Sequence, residues 1–190
     1  MYRLGYHGFV TAQTLLMTAE QFDALPEEEI RKWELLDGEL IEVPSATPLH
    51  NRILMRLAVA LEADIRSRRV WVVLPETDLA VRKESRLRPD FGFFSAKTWA
   101  TVDLTKVPVV QTPDIAVEII SPSETIATVQ RKIEAYLKWG VHEVWLIFPE
   151  IKTLFIHTLA GAQRLSEGAF LTSPFIPGRQ IQVSEIFENL

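Results

Sequence analysis

Apolar residues recur along this chain with two periods, one near two and one near 3.6, and the switches between them mark out its elements. Trp33-Glu34-Leu35-Leu36 and Glu39-Leu40-Ile41-Glu42-Val43 read as short strands. Asp37-Gly38 between them predicts a two-residue hairpin, because both residues tolerate the positive φ that such a turn demands. Upstream, Thr18-Ala19-Glu20-Gln21 has the form of a capping box and predicts a short helix that ends near Pro26 or soon after it. After Thr47-Pro48, the spacing of Leu49, Ile53, Leu57, Ala60 and Leu61 predicts a long helix running out in Arg66, Arg68 and Arg69. Strands are expected over 70–74, 78–82, 91–95 and 115–120, the last apolar on both faces and therefore central. A second helix should begin at Ser123 or Glu124 and run to Trp139, closed by Gly140. Strands at 143–148 and 154–158 and a tail of weaker short strands complete the pattern, with no repeat and no linker that would divide it.

That order of elements predicts an α/β (α+β) fold with a central mixed β-sheet flanked by helices and an N-terminal helix and β-hairpin. With 190 residues, 47% of them hydrophobic and 24% charged, residues 1–190 read as a single domain with room for a substantial core. A net charge of -5 gives no general attraction to nucleic acid, so any such contact must rest on a local basic patch. Cysteine is absent, which removes disulfides, thiolate catalysis and cysteine-ligated metals. The opening Met1 to Gly8 lacks the apolar core of a signal peptide and no run approaches the ~20 apolar residues of a membrane span, so the expectation is a cytoplasmic protein with no membrane partner.

Candidate chemistry starts at Glu118, a carboxylate within the most apolar stretch, Asp114-Ile115-Ala116-Val117-Glu118-Ile119-Ile120. An ionised carboxylate buried there without a partner costs several kcal/mol, so a cation, a metal or a proton should meet it. Alternation puts Ala116, Glu118 and Ile120 on one face. On the following helix Lys132 shares a stripe with Val129 and Tyr136, which turns its ammonium toward the sheet. Asp90, in Arg88-Pro89-Asp90-Phe91, opens another apolar strand. Two carboxylates and a lysine at one sheet edge suit hydrolysis of phosphodiesters with Mg²⁺ or Mn²⁺, and equally suit an internal ion pair without catalysis.

The ordered set Trp33 to Leu40, His50, Pro89-Asp90, Val117 to Ser123, Lys132, Tyr136 and Trp145-Leu146-Ile147 resembles the Uma-type endonuclease family. That family is similar to the restriction-endonuclease-like superfamily, whose signature is Pro-Asp followed by Asp/Glu-x-Lys. The resemblance spans about 33–149, the expected nuclease-like core. It implies a metal-dependent endonuclease acting on DNA, with Asp90 and Glu118 as metal ligands, the main-chain carbonyl of Ile119 as a third ligand, and Glu34 as an extra acidic residue. Ile120 stands where the superfamily places its lysine, and the family's relocated lysine corresponds to Lys132. Thr128 and Phe148 replace aspartates common in the family. A nuclease-fold protein that binds nucleic acid or protein without cutting is the alternative.

Other candidates keep two readings each. Glu34 is a site carboxylate or a polar hairpin residue. His50 is a substrate contact or a helix first-turn residue, and Tyr136 is a substrate contact or core. Arg82, Lys83, Arg86 and Arg88 set four cations just before Asp90, a DNA-binding segment or a solvated hairpin tip. His7, His142 and His157 form no zinc spacing. Because closed two-fold symmetry is the commonest assembly, a homodimer is expected.

Overall fold

The computed structural model describes residues 16–68 and 71–188. Thr18 caps α1 (Ala19–Asp23) with the reciprocal Gln21 bond of a complete capping box. Pro26 then starts a separate one-turn helix, α2 (Glu27–Ile30), where the sequence suggests a single helix: proline has no N–H to continue a helix but fits the start of one. β1 (Trp33–Leu36) and β2 (Glu39–Glu42) form the expected hairpin, with Asp37 at φ 52° and Gly38 at φ 85°. The apolar stripe after Pro48 forms α3 (Pro48–Arg68). Arg69 and Val70, which the sequence reading places at the end of that helix and the start of the next strand, lie outside the described residues.

β3 (Trp71–Pro75), β4 (Leu79–Arg82), β5 (Ser85–Leu87) and β6 (Phe91–Ser95) follow. β5 is a strand that the pattern conceals, since Ser85-Arg86-Leu87 is largely polar and sits inside the basic run. α4 (Ala96–Trp99), a single turn capped by Ser95, precedes β7 (Ile115–Ile119). α5 (Ile126–Trp139) begins after Thr125, whose hydroxyl accepts the Thr128 N–H, rather than at Ser123 or Glu124. It ends at Gly140 with φ 110°, a left-handed cap that costs glycine little. β8 (Glu143–Phe148), β9 (Thr153–Thr158), β10 (Gly161–Leu165), β11 (Phe170–Leu171), β12 (Ile181–Gln182) and α6 (Val183–Phe187) complete the chain.

The large sheet runs β10-β9-β8-β7-β6-β3, and β2-β1-β5-β4 makes a smaller sheet beside it. Only β7 and β8 pair in parallel within the large sheet, with α5 as their crossover, so the sheet is mixed and β7 lies inside it. Every residue of β7 is buried, as its two-sided apolarity requires. Ile115, Val117 and Ile119 join a core with α3 and α6. Ala116 joins a second core with Ile133, Ala135 and Tyr136 of α5 and with Leu36, Val81 and Leu87 of the small sheet. Glu118 shares the alternation of Ala116, which aims it at α5 and the small sheet. Among the described residues no helix is long and apolar enough to cross a membrane.

Candidate active site

Lys132 reaches the sheet. Its Nζ donates to Glu118 Oε2 at 2.7 Å and lies 3.1 Å from Glu34 Oε2, and all three side chains are buried. The stripe on α5 dictates this, because Val129, Lys132, Ile133 and Tyr136 are buried together along the face turned to the sheet. Tyr136, fully buried, donates its hydroxyl to Glu118 Oε1 at 2.7 Å. It holds Glu118 from the core and lies outside the walls of the cleft. Glu34 arrives on β1, where its other oxygen accepts the Arg88 N–H at 2.6 Å and so fastens the small sheet to the segment leading into Asp90.

Asp90 stands just before β6, whose Phe91 pairs with Val117 of β7. Its Oδ2 accepts the Ile119 N–H at 2.5 Å, and its Oδ1 is 2.9 Å from His50 Nε2. The first turn of α3 thus meets the mouth of β6, a contact across 40 positions that no local pattern signals. His50 Nδ1 is buried without a partner.

The electrostatics follow from three carboxylates around one ammonium. Burial pushes Glu118 above the ordinary carboxylate range; Lys132 pulls against that rise, while Glu34 and Asp90 add to it, and the donors on both of its oxygens favour the ionised form. Burial disfavours the charged amine of Lys132, but Glu118, then Glu34 and Glu124, outweigh it and hold the amine well above its ordinary value. Tyr136 is raised by burial and by Glu118, so it serves as a donor throughout the physiological range. The hydrogen bond to Asp90 raises His50, with burial opposing it.

A cleft of about 1000 Å³ opens over this group, lined by Glu34, His50, Asp90, Glu118, Ile119 and Lys132. Arg86 and Arg88 also line it, but both guanidinia are engaged: Arg86 grips Asp23 at 2.8 and 2.9 Å, and Arg88 holds Asp78 at 2.7 and 2.8 Å and the carbonyls of Ile30 and Arg31. Arg82 and Lys83 project into solvent from the β4–β5 turn, outside the cleft. Asp23 and Asp78 escape sequence reasoning, being 63 and 10 positions from their partners with no periodicity to connect them.

The family model described as "Putative restriction endonuclease", Uma2, matches residues 19–185. The chain belongs to the Uma2 family. A crystal structure from Anabaena variabilis, titled a putative nuclease belonging to DUF820, superposes with a TM-score of 0.78 at 21% identity, covering 90% of this chain and 97% of its own. At that identity the likeness carries the fold. No curated protein matches this chain.

For a member of the Uma2 family, the donor set fits a divalent ion that prefers oxygen. Glu118, Glu34 and Asp90 outnumber Lys132 even when His50 is charged, and added positive charge would offset the excess. Each oxygen of Asp90 and Glu118 has a protein donor, yet an ionised carboxylate offers about four acceptor positions, so capacity remains toward the cleft. Among the described residues no three acidic or histidine side chains form a ligand cluster.

Proposed function

We propose that this Uma2-family chain is an endonuclease that hydrolyses DNA phosphodiester bonds with Mg²⁺ or Mn²⁺. The observation that supports it most is the 2.7 Å contact from Lys132 to Glu118, which supplies from the helix the ammonium missing at Ile120. Asp90 and Glu118, with the main-chain carbonyl of Ile119, would hold the ion. When bound it polarises the phosphate and lowers the pKa of water.

The chain's own residues do the rest. Tyr136 and Lys132 fix Glu118 from two sides, and the Ile119 N–H and His50 fix Asp90, so neither carboxylate needs to reorganise. Lys132 is held charged and stands where it can orient the attacking water and meet charge developing on the phosphate. The water oxygen bonds to phosphorus, the bond to the leaving sugar oxygen breaks, and that oxygen ends protonated. Glu34 keeps the lysine directed at the site. Of the basic run 82–88, Arg82 and Lys83 are the exposed cations left to meet backbone outside the cleft.

Cleavage of plasmid and of single-stranded DNA by purified protein with each metal tests this proposal, and cutting of either substrate supports it. Wild type should cut, and Asp90→Ala, Glu118→Ala and Lys132→Ala should each lower the rate by about 10²-fold or more. Cleavage that persists in Glu118→Ala would sink the assignment. The second reading, a nuclease fold that binds without cutting, draws on the donors already bound to every oxygen of Asp90 and Glu118. Wild-type protein inert with both metals on varied DNA would favour it. The proposal also carries a cytoplasmic homodimer, and light scattering should give twice 21.7 kDa.

A further inference from the structure

We infer that the cleft receives an unpaired nucleic-acid strand, seating a base against its apolar rim, and rejects the side of an intact duplex. The inference rests on the nuclease reading and names its substrate class. Ten acidic residues and four lysines or arginines line the cleft, so its charge opposes the two phosphate backbones that the side of a duplex presents, and a single strand brings only one of them. All four cations already meet carboxylates: Arg31 with Glu27, Arg86 with Asp23, Arg88 with Asp78, and Lys132 with Glu118 and Glu34. Glu42, Glu76, Glu124 and Glu150 have no lysine or arginine partner among the described residues.

Duplex DNA presents one negative charge per ~1.7 Å of axis, and proteins that grip its side do so by neutralising several phosphates at once. Nothing inside this cleft can do that. One phosphate beside Lys132, accompanied by a divalent ion, is the most the floor accommodates.

The rim supplies the second observation. Val43, Pro44, Leu49, Val107, Pro108 and Ile120 line the cleft, and Leu49 and Val107 are 40% and 73% exposed. Base faces in a duplex are stacked on one another, whereas an unpaired strand offers them to apolar side chains. A volume of about 1000 Å³ encloses a group of ligand size, such as a nucleotide. Ser45 and Thr47, between Pro44 and Leu49, put hydroxyls among these apolar residues.

The test is fluorescence anisotropy in Mg²⁺ with a labelled oligonucleotide, alone and annealed as a blunt duplex, across a salt series. The single strand should bind about tenfold tighter, the order expected of one base face buried against aliphatic side chains. The duplex should show a log–log salt slope below about 2, far from that of proteins making roughly 6–10 phosphate contacts. Leu49→Ser with Val107→Ser, both on exposed residues, should weaken single-strand binding about tenfold, as the loss of apolar area against one base implies, at an unchanged melting temperature. Duplex bound as tightly as single strand, a steep duplex slope, or full affinity in the double variant overturns the inference. Cutting of the same two substrates with Mn²⁺ separates it from the nuclease reading. Selective strand binding without any cleavage sinks catalysis and leaves the strand preference standing. Equal cutting of both does the reverse.

Discussion

Lys132 faces two buried carboxylates, and that ratio decides what its loss would do. Removing one partner of a buried ion pair typically costs about 3–5 kcal/mol, because the charge left behind stays desolvated. Lys132→Met should therefore destabilise the protein by about that much in urea unfolding, and Glu118→Gln added to it should recover part of the loss. A Lys132→Met variant as stable as wild type would show that Glu118 and Glu34 find other compensation. His50 gives the pH counterpart. Its folded pKa is raised by Asp90 above the ordinary 6.5, so the charged pair contributes stability in full below pH 6.5 and loses it as pH rises through the folded value. In metal-free protein, the stability difference between wild type and His50→Asn should shrink from acid to alkaline pH. A flat difference would refute the link.

Elements were legible where local chemistry dictates them. Asp37-Gly38 specifies its turn by backbone conformation alone, and the structure adds a packing reason: a Cβ on Gly38 would stand 3.2 Å from Leu16 Cβ and 3.3 Å from the Met17 carbonyl, at φ +85°. Gly38→Ala should cost about 1–2 kcal/mol on conformation alone, whereas Gly168→Ala, in open space, should be near neutral; thermal melts of the two would settle the contrast. The stripe of Val129, Lys132 and Tyr136 likewise announces its burial, since helical spacing leaves those side chains one direction to face. β5 was not legible, because its polar residues serve bonds to distant partners: the Ser85 hydroxyl accepts the Asp37 N–H, and Arg86 reaches Asp23. The one-turn helices α2, α4 and α6 are too short for a period to emerge.

At the scale of the whole molecule, the site lies where three separately legible pieces meet. β7 brings Glu118, α5 brings Lys132 and the small sheet brings Glu34, each explicable from its own pattern. Their meeting follows from the β7-α5-β8 crossover, which lays the helix over the strand it leaves, and from the small sheet sharing a core with that helix. The sequence could not announce Asp90's clasp by His50 or the acidity of the finished cleft. Both arise from chain segments brought together by folding.

Ile120, just beyond β7, packs against the core beneath α5 while the ammonium comes from a helix twelve residues on. Any search that looks for the nuclease signature as a linear word would pass over this chain, although the same three charges are assembled in space. Kinship among such proteins is better traced by where a charge ends up than by which letter follows which.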